Sequence, residues 1–263
     1  MLKRLLRHGA ALTGQIRPDK GGGSTPRVLC YHGVCDDPTD EWSVTPAQLR
    51  AHMDLLRREF KPVALDRVVS WVRGERDLEP LSVAVTFDDG FADVYERAAP
   101  IMAEYDVPGA AFVPSVLIGG GTVDSSYRPT RPFMHWSQVR ELPALGWTVG
   151  SHCLDPRLSA MDHKGSRRQL VESHAALEQE LQQSVTLLAY PYGTPGAVSA
   201  RDRQFAAEAG YTAAFMAVTG QMSKGGDLWA LPRAKVLGSD SMFVVGQSLA
   251  GGMDVWRHIE GMH

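Results

Sequence analysis

The chain has 263 residues, of which 44% are hydrophobic and 22% are charged, and its formal net charge is −3. This composition is typical of a globular protein with a sizeable core. The small negative charge, with no basic stripe interleaved with aromatic residues, argues against binding to nucleic acid. Three cysteines cannot all pair with one another, so we expect free thiols and a cytoplasmic location. No segment approaches the roughly 20 apolar residues that span a membrane.

Residues 1–26 are expected to form an N-terminal extension and linker. The segment begins like a signal peptide, but Arg7, His8 and Gly9 interrupt the apolar run that such a peptide requires. A short cationic helix is predicted instead, and it permits two interpretations. Either residues 1–12 make weak peripheral contact with a membrane, or the helix is frayed or docked on the domain that follows. The second interpretation is favoured.

Strand-like and helix-like segments alternate after the linker. Thr45 and Pro46 are typical of a helix N-terminus, and Gly210 is typical of a helix C-terminus. The predicted elements are, in chain order, a strand over 27–31, a helix over 45–60, a strand over 83–87, a helix over 92–104 broken by Pro100, a strand over 110–113, a helix over 137–145, a strand over 147–150, a helix over 166–183, a strand over 185–190, a helix over 201–209, strands over 212–216 and 231–237, and a last helix near Ser241. This alternation predicts one α/β domain over 27–263, built as a parallel barrel or as an open doubly wound sheet.

Two adjacent carboxylates, Asp88 and Asp89, directly follow the apolar strand 83–87, and Gly90 lets the chain turn after them. Adjacent carboxylates at the end of a parallel strand repel each other, so a nearby cation or a shared proton is expected. The alternative interpretation is an Asp-Gly turn with no function.

Other polar residues also follow the ends of predicted strands. His32, His152 and the Pro-Tyr-Gly run at 191–193 hold such positions. In a parallel barrel, the C-terminal ends of the strands converge on one face, and the active sites of barrel enzymes lie there. The placement of these residues therefore favours the barrel, and it favours a functional role for Asp88 and Asp89.

The residue types at this face indicate a hydrolase. Asp89 and His152 offer one oxygen and one nitrogen ligand, a combination that suits zinc or another borderline divalent metal. Asp88 is placed to take a proton from water as general base, and His32 to protonate a leaving group as general acid. Backbone N–H groups in the turn 190–193 are placed to stabilise a developing oxyanion. Together these features predict metal-assisted hydrolysis of an amide or an ester.

Seven motifs, in this order and spacing, resemble those of a known enzyme family. They are Tyr-His-Gly-Val (31–34), Thr-Phe-Asp-Asp-Gly (86–90), Val-Pro-Gly-Ala-Ala-Phe-Val (107–113), Gly-Trp-Thr-Val-Gly-Ser-His (146–152), Ala-Tyr-Pro-Tyr-Gly (189–193), Glu-Ala-Gly-Tyr (208–211) and Leu-Pro-Arg (231–233). Over residues 27–250 or so, the chain resembles the polysaccharide deacetylases, which are metal-dependent carbohydrate esterases with a nodulation-type deacetylase domain. The resemblance implies a distorted, incomplete (β/α) barrel that removes N-acetyl groups from hexosamine glycans.

The resemblance also implies roles for individual residues. These roles are Asp88 as the general base, Arg233 as the arginine that pairs with it, His32 as the general acid, Tyr192 as the backbone N–H donor to the oxyanion, and Asp89 and His152 as metal ligands. The expected metal is zinc, with cobalt and nickel as alternatives, and the expected partner is an N-acetylated saccharide.

The second metal motif departs from the family pattern. The family has His-x-x-x-His followed by Pro-x-Leu, whereas this chain has His-Cys-Leu-Asp-Pro-Arg-Leu at 152–158 and lacks the second histidine. Asp155 is the predicted replacement, because aspartate is an established zinc ligand, and a plain Asp-Pro turn residue is the alternative. Two further hypotheses stay open. One is a catalytically weakened or inactive relative that binds glycan or a partner protein, and the other is a hydrolase of a different, small-molecule amide.

Overall fold

The computed structural model describes residues 2–13, 25–120, 131–155, 158 and 162–256, and its centre is a parallel sheet of eight strands. The strands of the chain are β1 (Arg27–Tyr31), β2 (Gly33–Val34), β3 (Ser43–Val44), β4 (Lys61–Pro62), β5 (Ser82–Phe87), β6 (Gly109–Val113), β7 (Thr148–Ser151), β8 (Leu187–Ala189), β9 (Ala213–Phe215) and β10 (Ala234–Lys235). The order in the large sheet is β10-β1-β5-β6-β7-β8-β9, with β4 beside β5, while β2 and β3 form a separate parallel pair.

Helices lie between most of these strands. They are α1 (Leu2–Thr13), α2 (Pro46–Glu59), α3 (Leu65–Val72), α4 (Ala99–Glu104), α5 (Trp136–Glu141), α6 (His163–Leu181), α7 (Ala200–Ala209) and α8 (Met242–Ala250), with a π-helical turn at Val94–Ala98 and 3₁₀-helices at Leu142–Leu145 and Gly252–Trp256. None of the helices in the described residues combines the length and the apolar character needed to cross a bilayer.

The two faces of the sheet pack against different helices. Alternate residues of a strand point to opposite faces, and in β5 Val85 belongs to one apolar cluster while Ala84 belongs to another. The outer cluster contains the buried side chains of α2, α6 and α7, among others. The inner cluster is filled by Phe112, Phe215 and the apolar side of α3. The inner face is therefore a packed core, as in other parallel barrels.

The two edges of the sheet are joined by irregular backbone at residues 228–233. Leu231 exchanges backbone hydrogen bonds with β9, donating to Ala214 O at 3.0 Å and accepting from Met216 N at 2.8 Å. Three residues later the same segment becomes β10 and pairs with β1. Because this seam lacks a regular ladder, the sheet is a distorted, incomplete barrel. The predicted barrel is confirmed, and the open doubly wound alternative is not found.

Local sequence patterns account for most of the helices and strands, including one helix that was not predicted. The predicted N-terminus of α2 is confirmed, since the Thr45 side chain accepts from Gln48 N while the Gln48 side chain accepts from Thr45 N. The predicted strand 231–237 is only two residues long, because the preceding residues pair with β9 instead. Helix α3 was not predicted, although its buried residues Leu65, Val68, Val69 and Val72 have the i, i+3, i+4, i+7 spacing of a helix.

Helix α1 is docked on the domain, in agreement with the interpretation that was favoured for residues 1–26. The Arg7 guanidinium is buried and donates to both carboxylate oxygens of Asp240, at 2.8 and 2.7 Å, and to Lys235 O at 3.0 Å. Ala11 is also buried, in a small apolar cluster that includes Val244 and Trp256. The helix therefore contacts both α8 and the segment that follows β10.

Candidate active site

Asp88 lies just beyond the end of β5, inside the barrel. Its side chain is buried, and the two terminal nitrogens of Arg233 donate to its two carboxylate oxygens, each at 2.7 Å. Burial opposes ionisation of the carboxyl, but the charge of Arg233 outweighs that effect and holds the pKa of Asp88 well below its usual range. Asp88 is therefore an ionised and fixed carboxylate.

Arg233 is itself held on every side. Its Nη1 donates to Thr86 Oγ1 at 3.0 Å, and its Nε donates to Met216 O at 3.1 Å. The guanidinium lies 5.2 Å from the centre of the Phe112 ring and 6.0 Å from that of Phe215. These contacts fill the inner face and leave the arginine one orientation, toward Asp88.

Asp89 faces away from this ion pair and toward His152. A positive φ of 70° turns the backbone at Asp89, and its Oδ1 lies 3.5 Å from His152 Nε2. The Nδ1 of His152 lies 2.8 Å from Ala189 O, which can only accept, so Nδ1 carries a hydrogen and Nε2 is the ring nitrogen that faces Asp89. A second hydrogen bond of this kind orients histidines that bind metals.

The spacing of these two donor atoms fits a metal ion. Ligands about 2.0–2.1 Å from a tetrahedral zinc lie roughly 3.3 Å from each other, and the carboxylate oxygen of Asp89 and Nε2 of His152 are 3.5 Å apart. The chemistry of the pair, one hard oxygen and one imidazole nitrogen, fits the same ion. Asp89 and His152 are therefore brought together with their donor atoms at a separation that metal ligands adopt.

Asp155, the third predicted ligand, is hydrogen-bonded to Gln169. Its backbone N–H donates to Gln169 Oε1 at 3.1 Å, and Gln169 Nε2 donates back to Asp155 Oδ2 at 3.1 Å. Across the described residues, three ligand atoms within 4.8 Å of one another come from Cys30, His32 and Asp88, and from no set that contains Asp155. The amide of Gln169 on α6 thus fixes the turn and engages the carboxylate of Asp155, and the ligand role of Asp155 stays a prediction. Pro156 and Arg157, the next two residues of the motif, lie outside the described residues.

His32 follows β1, and one of its ring nitrogens lies within 4.8 Å of a carboxylate oxygen of Asp88. Its Nδ1 is buried and has no hydrogen-bond partner among the described residues, and its ring lies 5.2 Å from the ring of Trp42. Burial lowers the pKa of His32, and the carboxylates of Asp89 and Asp88 oppose that shift. The imidazole therefore lies beside both carboxylates, where a proton donor to a leaving group is needed.

Tyr192 lies in a tight turn after β8. Its φ is 61° and its side chain is exposed, and no backbone hydrogen bond within the described residues uses its N–H. Gly193 closes the turn by accepting from Ala217 N at 2.8 Å, and a Cβ at Gly193 would lie 2.4 Å from that nitrogen. The turn thus requires glycine at 193 and leaves the N–H of Tyr192 available to a ligand.

Two neighbours of the site were not predicted from the sequence. One is Cys30, whose Sγ lies 3.4 Å from Asp88 Oδ2. Burial raises the pKa of the Cys30 thiol, so the thiol stays protonated and donates to Asp88. Cys30 pairs in register with Thr86, which lies two residues before Asp88. Because side chains two residues apart point to the same face of a sheet, this pairing places the thiol on the side of Asp88. The other is Trp42, beside His32, which had no signal of this kind.

Comparison with known proteins agrees with this geometry. Residues 75–214, more than half of the chain, match the model of the polysaccharide deacetylase family. The chain belongs to the polysaccharide deacetylase family. The predicted enzyme class, a hydrolase of N-acetyl amide bonds, is confirmed at the level of the family, and the inactive alternative is not favoured. The family is metal-dependent, which agrees with the facing donors of Asp89 and His152.

Two relatives of different length match the chain. The chain is 22% identical over 212 residues to the YxkH protein of Bacillus subtilis, which is described as a polysaccharide deacetylase. The match covers 80% of this chain and 70% of that one. It is 30% identical over 129 residues to the poly-β-1,6-N-acetyl-D-glucosamine N-deacetylase of Escherichia coli. That second match covers 44% of this chain and only 18% of the relative's length.

Solved structures of other deacetylases have the same fold. IcaB from Ammonifex degensii superimposes with a TM-score of 0.74 at 22% identity, covering 88% of this chain and 98% of that one. The deacetylase PplD of Streptococcus pyogenes, solved with acetate, gives a TM-score of 0.73 at 20% identity, covering 87% of this chain and 98% of that one. At these identities the likeness shows the barrel architecture.

Proposed function

We propose that this protein removes N-acetyl groups from an N-acetylhexosamine-containing glycan or glycoconjugate, such as an exopolysaccharide, with a divalent metal as cofactor. The observation that carries the proposal is the arrangement at one end of the barrel. There Asp88 is fixed and ionised by Arg233, and the adjacent Asp89 faces Nε2 of His152 at 3.5 Å. Family membership supplies the reaction class.

Asp88 acts as the general base. Arg233 and Cys30 hold its carboxylate ionised and oriented, so it can accept a proton from the water that attacks the acetamide carbon. The bidentate pairing also fixes the position of the carboxylate, and a fixed acceptor needs no reorganisation during the reaction. The ion pair therefore contributes by fixing the position of the carboxylate, even though it lowers the affinity of the carboxylate for a proton.

Asp89 and His152 would hold the metal, and zinc suits this oxygen and nitrogen pair best, with cobalt and nickel as alternatives. When bound, such an ion polarises the acetamide carbonyl as a Lewis acid. The protein's own part is to present Nε2 of His152 unprotonated, through the bond from Nδ1 to Ala189 O at 2.8 Å.

The remaining steps fall to Tyr192 and His32. The free backbone N–H of Tyr192 stabilises the negative charge that develops on the carbonyl oxygen. His32, in its protonated form, gives its proton to the amine of the sugar as the carbon–nitrogen bond breaks. Acetate and the free hexosamine are the products.

The test is acetate release from N-acetylglucosamine oligomers, both β-1,4-linked and β-1,6-linked, since a β-1,6-linked polymer is named for the Escherichia coli relative. Asp88→Asn is expected to lower turnover by about 10²–10⁴-fold. Asp227→Asn is the matched control, because this exposed aspartate also pairs with an arginine, Arg203, at 2.9 Å, and it should leave turnover unchanged. Circular dichroism establishes that both variants are folded.

Two outcomes would contradict the proposal. Unchanged turnover in a folded Asp88→Asn variant removes Asp88 from the role of base. Absence of acetate release from every N-acetylated oligomer by the wild type, after loading with zinc, cobalt or nickel, removes the function itself.

A further inference from the structure

Three side chains form a second group of metal-ligating atoms, apart from Asp89 and His152. They are Cys30, His32 and Asp88, which we name the thiol cluster. The Cys30 Sγ, one ring nitrogen of His32 and one carboxylate oxygen of Asp88 all lie within 4.8 Å of one another. In the part of the chain that the structure describes, no other three ligand side chains meet this closely. The proposed reaction uses Asp88 and His32, but it makes no chemical use of the thiol beyond its hydrogen bond to Asp88.

Two strands bring the thiol cluster together. Cys30 lies in β1 and His32 follows two positions later, so both side chains point to the same side of the strand. Asp88 N donates to Tyr31 O at 2.9 Å, which fixes the end of β5 beside the end of β1. Cys30 and Asp88 are buried, whereas His32 is half-buried. Solvent therefore reaches the cluster at the imidazole.

The distances suit a metal ion with a thiolate ligand. Sulfur and oxygen ligands about 2.3 and 2.1 Å from a tetrahedral zinc lie roughly 3.6 Å from each other, and Cys30 Sγ lies 3.4 Å from Asp88 Oδ2. An ion can thus take the place of the thiol hydrogen with little movement of either atom. The His32 ring is free to close on such an ion, because its buried Nδ1 has no hydrogen-bond partner among the described residues.

The chemistry of the cluster selects a soft divalent cation. Binding exchanges the thiol hydrogen, which leaves as a proton to solvent, for the ion, and the Cys30 sulfur then binds as a thiolate. A thiolate beside an imidazole suits zinc or cadmium and not magnesium or calcium. Burial raises the pKa of the Cys30 thiol, and Arg233, which donates to Asp88, repels a cation. The cluster should therefore fill only after the site at Asp89 and His152.

We propose that the thiol cluster is a second, inhibitory metal site for zinc or a similar soft divalent cation. The inhibition rests on the proposed function, in which Asp88 is the base and His32 is the acid. An ion held at the cluster occupies the lone pairs that both residues need for proton transfer, so turnover stops while Asp89 and His152 keep their own ion. Zinc thus supports the reaction at low concentration and inhibits it at high concentration.

The test is a titration of the metal-free full chain with cobalt(II) and with cadmium(II), which needs no substrate. Cobalt bound to a thiolate gives a charge-transfer absorption band in the near ultraviolet that oxygen and nitrogen ligands do not give. The wild type is expected to develop this band, and calorimetry should show two cadmium ions per chain, one at each site. Cys30→Ser, which keeps a similar shape and a donor to Asp88, should lose the band and bind one cadmium ion.

Two further variants serve as controls. Cys35→Ser removes a free thiol outside the cluster and should keep the band. Asp89→Asn removes a ligand of the other site and should keep the band as well. If Cys30→Ser misfolds, His32→Gln takes its place, and it should weaken cadmium binding at the cluster at least about tenfold. The site is overturned by absence of the band in the wild type, by a band that persists in Cys30→Ser, or by unchanged cadmium affinity in His32→Gln.

Acetate release tests the inhibition separately from the binding. As zinc is added, turnover of the wild type should rise and then fall, and Cys30→Ser should lose the fall at zinc concentrations where Cys35→Ser keeps it. Cadmium binding at the cluster with no fall of turnover in excess zinc overturns the inhibitory role. If no acetate is released under any condition, the proposed function fails, while the cobalt band still decides whether the second site exists.

Discussion

Asp88 and Asp89 are neighbours in the chain, yet they lie in opposite environments. The Asp88 side chain is buried, and its charge is neutralised within the protein by Arg233. The Asp89 side chain is 17% exposed, and its Oδ1 lies 3.5 Å from Nε2 of the His152 imidazole. The positive φ of Asp89 separates the two carboxylates, a conformation that aspartate tolerates better than most residues.

This difference shows how one dipeptide supplies two functions. A carboxylate with a built-in partner is a structural group as well as a catalytic one, because removal of either partner leaves a buried charge. A carboxylate without such a partner stabilises little in the protein alone and is available to an external cation. The stability of variants on the two sides should therefore differ strongly.

The largest expected effect is on the Asp88 side. Arg233→Met should lower the free energy of unfolding by about 3–5 kcal/mol, because it leaves the Asp88 carboxylate buried without its countercharge. Urea denaturation measures this. Arg140→Met is the control, since Arg140 pairs with Glu180 at 2.7 Å on the surface, and it should cost about 1 kcal/mol or less. Similar losses of unfolding free energy in the two variants would show that the buried ion pair stabilises the protein no more than the surface pair does.

A second expected effect is a dependence of stability on pH, and it arises at His52, which contacts β1 next to the site. The residue before His32, Tyr31, has its hydroxyl 3.0 Å from Nδ1 of His52, and burial lowers the pKa of His52 to about 4. The unfolded chain therefore binds this proton more tightly, so stability falls as the pH drops from about 6.5 to about 4, by roughly 3 kcal/mol.

Denaturation at pH 7 and at pH 4 measures this contribution. His52→Gln should show a smaller loss between the two values than the wild type does. The exposed His163 supplies the control, since His163→Gln should keep the loss of the wild type. An equal pH dependence in His52→Gln would exclude His52 as its source.

The smallest expected effect on stability is on the Asp89 side. In metal-free protein, Asp89→Asn should change the free energy of unfolding by less than about 1 kcal/mol, while zinc affinity measured by calorimetry falls at least about tenfold. Asp106→Asn is the matched control, since Asp106 is exposed and also has a positive φ, 50°. If Asp89→Asn destabilised the protein as strongly as Arg233→Met, Asp89 would be a structural residue.

Parts of the site that depend on residues close in sequence could be predicted from local patterns, whereas parts that depend on residues far apart in sequence could not. The strand before Asp88 and the cap at Thr45 depend on nearby residues, and both were predicted from local patterns. Arg233 lies 145 residues from Asp88, so its pairing followed from the family resemblance and not from spacing. A buried guanidinium that crosses the inside of a barrel has no local signature.

Two features depend on partners outside the local sequence. Asp155 was predicted to replace a missing histidine, and the structure shows its carboxylate hydrogen-bonded to Gln169 on the helix that follows. The strand over 231–237 was predicted from its apolar residues, but the chain leaves β9 for β1 within that segment. In both cases the outcome depends on a partner whose position the local sequence does not encode.

The seam at residues 228–233 has a consequence for partly folded molecules. The backbone that bridges β9 and β10 ends at Arg233, so closing the barrel and delivering the countercharge of Asp88 are one event. A molecule that frays at this seam loses its working base together with its last edge contact. Incompletely folded copies are therefore expected to lack deacetylase activity.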